Sequence, residues 1–255
     1  MILEEFKLTD KIAIVTGCSR PNGIGFAIAE ALAEAGANIA GVGVSDMNII
    51  KEHIEKIGKQ FLSIHFDLRE TKNISQIVEK TIDKFGKVDI LFNNAGIIRR
   101  TPALDFSEQD WDDVMNINIK NLYFLSQAVA RKFVEQKSRG KIINTASLLS
   151  YQGGILVPSY TASKHAVAGV TKGLCNEWAK YGINVNAIAP GYISTDNTAP
   201  LRENKERNKA ILDRIPAGRW GENTDLQGVA VFLASSASDY LNGVIIPVDG
   251  GWLSR

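Results

Sequence analysis

Short apolar runs alternate with longer amphipathic stretches, and this order constrains the fold more than any other feature of the chain. The runs at 11–17 (KIAIVTG), 38–44 (NIAGVGV), 61–66 (FLSIHF), 88–96 (VDILFNNAG), 141–147 (KIINTAS), 183–191 (INVNAIAPG) and 243–251 (GVIIPVDGG) read as seven strands with their exits. Apolar residues sit at successive positions rather than at every other one, the pattern of strands buried on both faces. Helical patterns fill the gaps at 23–36, about 47–57, near 73–85, about 110–134, about 159–180 and 224–235. Gly36 closes the first as a C-terminal glycine, and Thr224 with Gln227 suggests a capping box at the start of the last. This alternation predicts an α/β fold: a Rossmann-type, doubly wound parallel sheet of seven strands, with helices on both faces and right-handed crossovers. No repeat, low-complexity tract or Pro/Gly-rich linker divides residues 1–255, so a single domain is expected.

Composition enters as a set of exclusions. Lys and Arg total 29 against 28 for Asp and Glu, so no basic field invites nucleic acid or an anionic membrane. The opening MILEEFKLTD carries acids and no apolar core, unlike a secretory signal, and no apolar run reaches the length of a membrane span. Cys18 and Cys175 lie far apart, and His53, His65 and His165 lack ligand spacing, so neither a disulfide framework nor a metal site is expected. A reducing cytoplasm fits this pattern best.

In a doubly wound sheet, ligands sit beyond the carboxyl ends of the strands, so the residues that leave strands carry the chemistry. The first strand exits into TGCSRPNGIG, where Gly17, Gly23 and Gly25 let the backbone turn and approach a pyrophosphate at a helix N-terminus. The third ends in Asp67, a possible acceptor for an adenine amine and otherwise an ordinary turn aspartate. The fourth exits into Asn93-Asn94-Ala95-Gly96, whose amides can tie strand ends together or flank a ribose. The fifth exits at Ser147 and the sixth at PGYIST, Pro190 to Thr195. Asn118 lies inside a helical pattern, where asparagine is mildly unfavourable and wants a reason. Tyr160 and Lys164 stand four positions apart in PSYTASKHAVAG, on one face of a predicted helix. Alone, such a pair is most often a packing ring beside a snorkelling cation.

Together these segments resemble the classical short-chain dehydrogenase/reductase family. The matching residues are the glycine loop 16–25, Asp67, NNAG 93–96, Asn118, Ser147, YTASK 160–164 and PGYIST 190–195, with Ser147 and Tyr160 thirteen positions apart. The match runs nearly end to end and keeps the family's order. It implies a cofactor-binding half at about 8–145 and a catalytic and substrate half at about 146–255. It also implies a nicotinamide cofactor, a catalytic set of Asn118, Ser147, Tyr160 and Lys164, and, within the family, a sugar-acid substrate and a homotetramer. In that scheme Tyr160 exchanges the proton and Ser147 holds the substrate oxygen. Lys164 lowers the phenol's pKa and binds the nicotinamide ribose, while Asn118 anchors a water. The tetramer would pack the helices near 110–134 and 159–180 on their counterparts and close a second interface over Trp252. Cofactor contacts are carried over to Gly17, Ser19, Arg20, Gly23, Ile24, Gly25, Asp67, Leu68, Asn94, Ala95, Gly96, Pro190, Gly191, Ile193 and Thr195, besides Tyr160 and Lys164. Substrate contacts are carried over to Arg100, Gln152 and Arg219, with Ser147 and Tyr160.

Two departures stand out. Five residues separate Gly17 from Gly23 where the family usually has three, which reads as a local insertion of Pro21-Asn22. Gly43 stands where members that prefer NAD often carry an acid for the ribose 2′-hydroxyl, and Arg20 is a candidate partner for a 2′-phosphate. The resemblance implies NAD, and the local residues leave NADP open. Of the neighbouring arginines Arg99 and Arg100, the second lies deeper in the substrate loop and is the candidate carboxylate clamp, with Arg219 in reserve. A non-catalytic nucleotide-binding sensor would need the glycine loop but not the set of four polar residues beside it.

Overall fold

The computed structural model describes residues 1–255. Seven parallel strands form one sheet: β1 Ile12–Thr16, β2 Asn38–Gly43, β3 Phe61–His65, β4 Ile90–Asn93, β5 Gly140–Thr145, β6 Ile183–Pro190 and β7 Ile245–Val248. Their spatial order is β3-β2-β1-β4-β5-β6-β7, so the chain reverses direction across the sheet between β1 and β4. All seven fall where the apolar runs predict them. Successive residues of a strand feed opposite layers. Ala13 and Val15 of β1 join the core under α1 (Ile24–Glu34), α2 (Asn48–Lys56) and α9 (Gln227–Ala234). Ile14 joins the core under α3 (Ser75–Phe85), α5 (Leu122–Gln136) and α6 (Pro158–Trp178).

Packing is closest where a helix lies flat on a strand end. The fully buried Phe133 ring of α5 covers Gly140 at the start of β5, where an added methyl carbon would lie 2.1 Å from the ring. Gly36, one position past the C-cap of α1, has φ +117° and turns the chain into β2, as expected.

Three features differ from the sequence expectations. The helix expected from about 110 to 134 is α4 (Glu108–Met115), a π-helical turn (Asn116–Asn121) and then α5, and the π turn carries Asn118. The last capping box is formed by Glu222 and Asp225 around a 3-10 turn, Asn223–Leu226. Gln227 is instead directed to α1, where its amide donates to the Ala27 carbonyl (3.2 Å) and the Glu30 carboxylate (2.8 Å). Finally, α7 (Ala199–Glu203) and α8 (Lys205–Leu212) form in the segment after β6, where no helix is expected. Their sequence, APLRENKERNKAIL, is too polar to show an apolar stripe, although Asn204 caps α8 by accepting from the Arg207 N–H at 2.9 Å. No helix is long and apolar enough to cross a membrane.

Candidate active site

The carboxyl ends of β1 and β4 are sewn together at the point where the sheet order reverses. The Thr16 hydroxyl accepts from the main-chain N–H groups of Asn94 (3.0 Å) and Ala95 (2.9 Å). The Asn94 amide donates to the Thr16 carbonyl (3.1 Å) and the Gly17 carbonyl (3.2 Å). Only glycine fits here. A methyl group at Gly25 would lie 2.3 Å from the Gly17 oxygen and 2.5 Å from the Asn94 amide nitrogen, and Gly17 itself has φ +70°. Pro21 and Asn22 are exposed in a turn closed by the Gly23 N–H on the Arg20 carbonyl (2.9 Å), so the insertion bulges outward. Gly23 caps α1 with no side chain over its first N–H groups, and Ile24 and Gly25 open the helix. A bare helix N-terminus behind a glycine cradle suits a pyrophosphate.

Asn93 ties strand ends, donating to Ser126 and to Asn144, each at 2.9 Å. Further along the edge, the Asp67 carboxylate is gripped by the Arg69 guanidinium at distances from 2.5 to 3.1 Å, and those hydrogen bonds hold its carboxyl below the usual carboxylate range. It remains partly exposed beside the buried Leu68, with lone pairs left for a ligand amine. Past Gly43 the edge is open: an added methyl group there would meet nothing within 4 Å, and Arg20 and Val44 are exposed.

At the end of β5, Ser147 leads into a 3-10 turn and its hydroxyl accepts from the Leu149 N–H at 3.2 Å. Tyr160 stands in the first turn of α6, whose first residue is Pro158, and Lys164 follows one turn on. The Lys164 ammonium is buried, donates to the Thr145 carbonyl at 2.6 Å and lies 5.4 Å from the Tyr160 ring centre. Burial pulls its pKa from 10.5 down to about 8. Burial also pushes the Tyr160 phenol above its ordinary value, and the Ser147 hydroxyl and Arg100 guanidinium act against that rise. The phenol is therefore not lowered in the site as it stands: desolvation outweighs the favourable charges.

Asn118 explains the π turn. Its side-chain oxygen accepts from the Ile97 N–H (2.9 Å), and its amide donates to the Ile97 carbonyl (3.0 Å) and to Ser163 (3.1 Å), whose hydroxyl donates to the Tyr160 carbonyl (2.8 Å). The widened turn thus braces the Gly96 exit against α6, with Gly96 close to the Asn118 oxygen.

The sixth exit is equally ordered. Gly191 donates to the Val248 carbonyl (2.9 Å), and a methyl group there would lie 2.5 Å from Asp249. Ile193 bridges to Gly221, and Thr195 forms a capping box with Thr198. Of the substrate candidates, Arg100 is exposed and donates to the Asn197 carbonyl at 2.9 Å, whereas Arg99 is bound to Asp110 (3.1 Å) and Asp113 (3.2 Å). The reserve candidate Arg219 is exposed and directs both prongs of its fork to Asp225 (2.6 and 2.9 Å). Gln152 has its oxygen on Arg214 and on Trp252, both at 3.2 Å. Thr16, Thr145 and Ser163 also position the site; Thr16 and Ser163 lie inside the quoted stretches 16–25 and 160–164, whereas Thr145 ends a strand and carries no signal of its own.

Comparison with known proteins places this geometry. A family model described as enoyl-(acyl carrier protein) reductase matches residues 17–253. The 2-dehydro-3-deoxy-D-gluconate 5-dehydrogenase of Dickeya dadantii is 59% identical over 255 residues, the full length of both chains. A solved structure of an Agrobacterium tumefaciens chain assigned as 2-deoxy-D-gluconate 3-dehydrogenase, with NADP bound, is 50% identical with a TM-score of 0.92, covering 98% of this chain and 99% of that one. The gluconate 5-dehydrogenase of Burkholderia cenocepacia, in complex with NADP and tartrate, is 37% identical with a TM-score of 0.95 over 100% of both chains. This chain belongs to the short-chain dehydrogenase/reductase family, as an NAD(P)-dependent oxidoreductase acting on CH–OH groups.

Proposed function

We propose that the chain interconverts a keto and a hydroxy group on a sugar acid, as a 2-dehydro-3-deoxy-D-gluconate 5-dehydrogenase does. End-to-end identity to the Dickeya enzyme supports this reading. The observation that carries it is the meeting of Ser147, Tyr160 and buried Lys164 with one arginine, Arg100, not paired to any carboxylate. Activity on gluconate itself is the second reading, favoured by the likeness to the Burkholderia enzyme. The cofactor supplies or accepts the hydride. Its pyrophosphate fits the cradle of Gly17, Ser19, Arg20, Gly23, Ile24 and Gly25, and its adenosine the edge at Asp67, Leu68 and Asn94 to Gly96. Its nicotinamide fits beside Pro190, Gly191, Ile193 and Thr195. Tyr160 donates its proton to the alkoxide in reduction and takes it back in oxidation, with Ser147 holding the reacting oxygen. Lys164 binds the ribose and favours the phenolate, and a water held at Asn118 replenishes the proton.

A homotetramer is the assembly that the family resemblance implies. Trp111, Phe124 and Val134 on α4 and α5 are exposed apolar residues that a counterpart would cover. Trp252, expected at a second interface, is already buried within the chain on Leu148, Ile211 and Ile215. Light scattering at micromolar concentration should return four times the 27.9 kDa chain mass, and a monomer would overturn the assembly.

Tyr160→Phe keeps the ring and removes the proton, so turnover should fall about 10²–10⁴-fold with the fold intact by circular dichroism. Because burial holds the Tyr160 phenol above its ordinary value, oxidation by the wild type should keep speeding up as pH rises far into the alkaline range, where the phenolate forms. Reduction should decline as pH rises through about 8, where Lys164 loses its charge. Opposite slopes in initial rates check the assignment, and a Phe variant at wild-type kcat sinks it.

Cofactor choice turns on Gly43. With no carboxylate there to repel a 2′-phosphate, both NAD and NADP should serve. Gly43→Asp, which the open edge accommodates, should cut kcat/KM for NADP at least about tenfold and spare NAD. Equal losses for both cofactors would show that Gly43 does not face the ribose.

Arg100→Ala should lower kcat/KM for the keto acid by roughly tenfold to a hundredfold, the worth of a charge-assisted hydrogen bond of about 1.5–3 kcal/mol. An uncharged ketone should suffer much less. Equal effects on the two substrates would remove Arg100 from the role of carboxylate clamp.

A further inference from the structure

Beyond Ser147 the chain builds a small satellite core separate from both faces of the sheet. Leu148, Ile211, Ile215 and Trp252 pack together there. They come from three segments distant in sequence: the turn after Ser147, helix α8 with its exit, and a C-terminal 3-10 turn, Trp252–Ser254. Polar contacts lock the same three segments. The Asp249 carboxylate accepts from the Gly251 and Leu253 N–H groups, each at 2.9 Å, and Arg255 donates to the Asp213 carbonyl at 2.9 Å. The Arg214 guanidinium lies 4.0 Å from the Trp252 ring centre.

All three segments meet at one atom. The Trp252 indole N–H and an Arg214 N–H both donate to the side-chain oxygen of Gln152, each at 3.2 Å. Neither partner can accept a hydrogen bond, so only the amide oxygen can face them. The NH₂ group of Gln152 is therefore turned away, with no partner in the chain and no burial that would demand one.

We propose that the C-terminal turn is part of the substrate site: Trp252 and Arg214 are positioning residues that fix the Gln152 amide so that it offers the substrate donors only. A site that presents donors selects a ligand rich in hydroxyl and carboxylate oxygens. It also rejects one that needs an acceptor, because a buried mismatch of this kind is costly. The inference rests on the proposed placement of Gln152 at the substrate, four residues beyond Leu148.

Two variants test it. Gln152→Glu keeps the shape and both acceptor contacts but replaces the donors with a second acceptor. Its substrate KM should rise about tenfold or more, with kcat little changed and the KM for the cofactor unmoved. Trp252→Phe keeps the ring in the satellite core and removes one of the two donors that fix the amide, so its substrate KM should rise about three- to tenfold. The measurements use whichever member of a panel of keto acids and neutral polyhydroxy ketones the wild type reduces best. An enzyme that rejects the keto acids then overturns the reading of substrate class and leaves the comparison of variants intact. A Gln152→Glu enzyme with wild-type KM overturns the donor role. A Trp252→Phe enzyme that melts earlier yet keeps the wild-type KM reduces the C-terminal turn to a structural prop and overturns the positioning role.

Discussion

A parallel sheet covered by helices on both faces has nowhere to do chemistry except at its ends. Strands β1, β4, β5 and β6 are buried throughout and β2 in its middle, while β3 and β7, at the two margins of the sheet, are partly exposed. What remains is the carboxyl edge, opened where strand order reverses between β1 and β4. At that opening the two strand ends would splay if nothing joined them. Thr16 and Asn94 join them through main-chain and side-chain hydrogen bonds, and the closeness they impose makes Gly25 and Gly17 obligatory. The glycine loop is thus a consequence of the junction as much as a device for phosphate. Its extra Pro21-Asn22 lies outside the junction, in solvent, where a longer turn disturbs nothing.

The second constraint is the burial of one cation. Moving Lys164 from 10.5 to about 8 corresponds to about 3 kcal/mol against its charged form, at 1.36 kcal/mol per pKa unit. The sign follows from proton binding: below about 8 both folded and unfolded chains hold the proton and the cost is present in full. It is relieved as pH rises from about 8 towards 10.5, where the unfolded chain still binds the proton and the folded one does not. A protein tolerates such a group when its neighbours are fixed. The Thr145 carbonyl receives the ammonium, and the Ser150 hydroxyl donates to the Lys164 carbonyl at 2.6 Å. Asn118 and Ser163 hold the preceding turn of α6. The π turn belongs to this same bracing, because it brings the Asn118 amide to Ile97 and Ser163 together.

Most of this was legible in the sequence, because most of it is set by local pattern. Apolar runs marked all seven strands, since the central strands are covered on both faces and the marginal β3 and β7 still pack residues such as Phe61, Ile64 and Ile246 against the helices. Residues at strand exits marked the site, since topology sends them to one edge. What stayed hidden depends on contacts between distant segments. The α7–α8 segment has no apolar stripe and becomes helical through the packing of single residues such as Ile211. The Glu222–Asp225 box was mistaken for Thr224–Gln227 because both obey the same spacing, and only the position of α1 decides where Gln227 points. The π turn leaves no trace in composition. The resemblance set Trp252 at an interface, and its partners within the chain, Leu148 and the residues of α8, are too distant in sequence to be read beforehand.

Arginine roles divide along a line that sequence cannot draw. The segment 199–220 holds six basic residues against three acidic ones in a chain whose overall charge is +1. Yet counting charges does not say which are free to act. Arg99 and Arg219 face carboxylates, so each pair is electrically closed and holds its own loop in place. Arg100, Arg202 and Arg214 also have partners, but those partners are the neutral oxygens of Asn197, Thr195 and Gln152. A neutral oxygen orients a guanidinium without cancelling its charge. These three side chains are therefore held in position and still present a positive field. Their partners belong to the turn after Ser147 and to the exit of β6, the segments that flank the site. Arg100 already acts on the Tyr160 phenol from there. Arg100 is thus fixed but uncompensated beside Tyr160, and its free charge follows from the partner the fold assigns it rather than from the number of arginines in the chain.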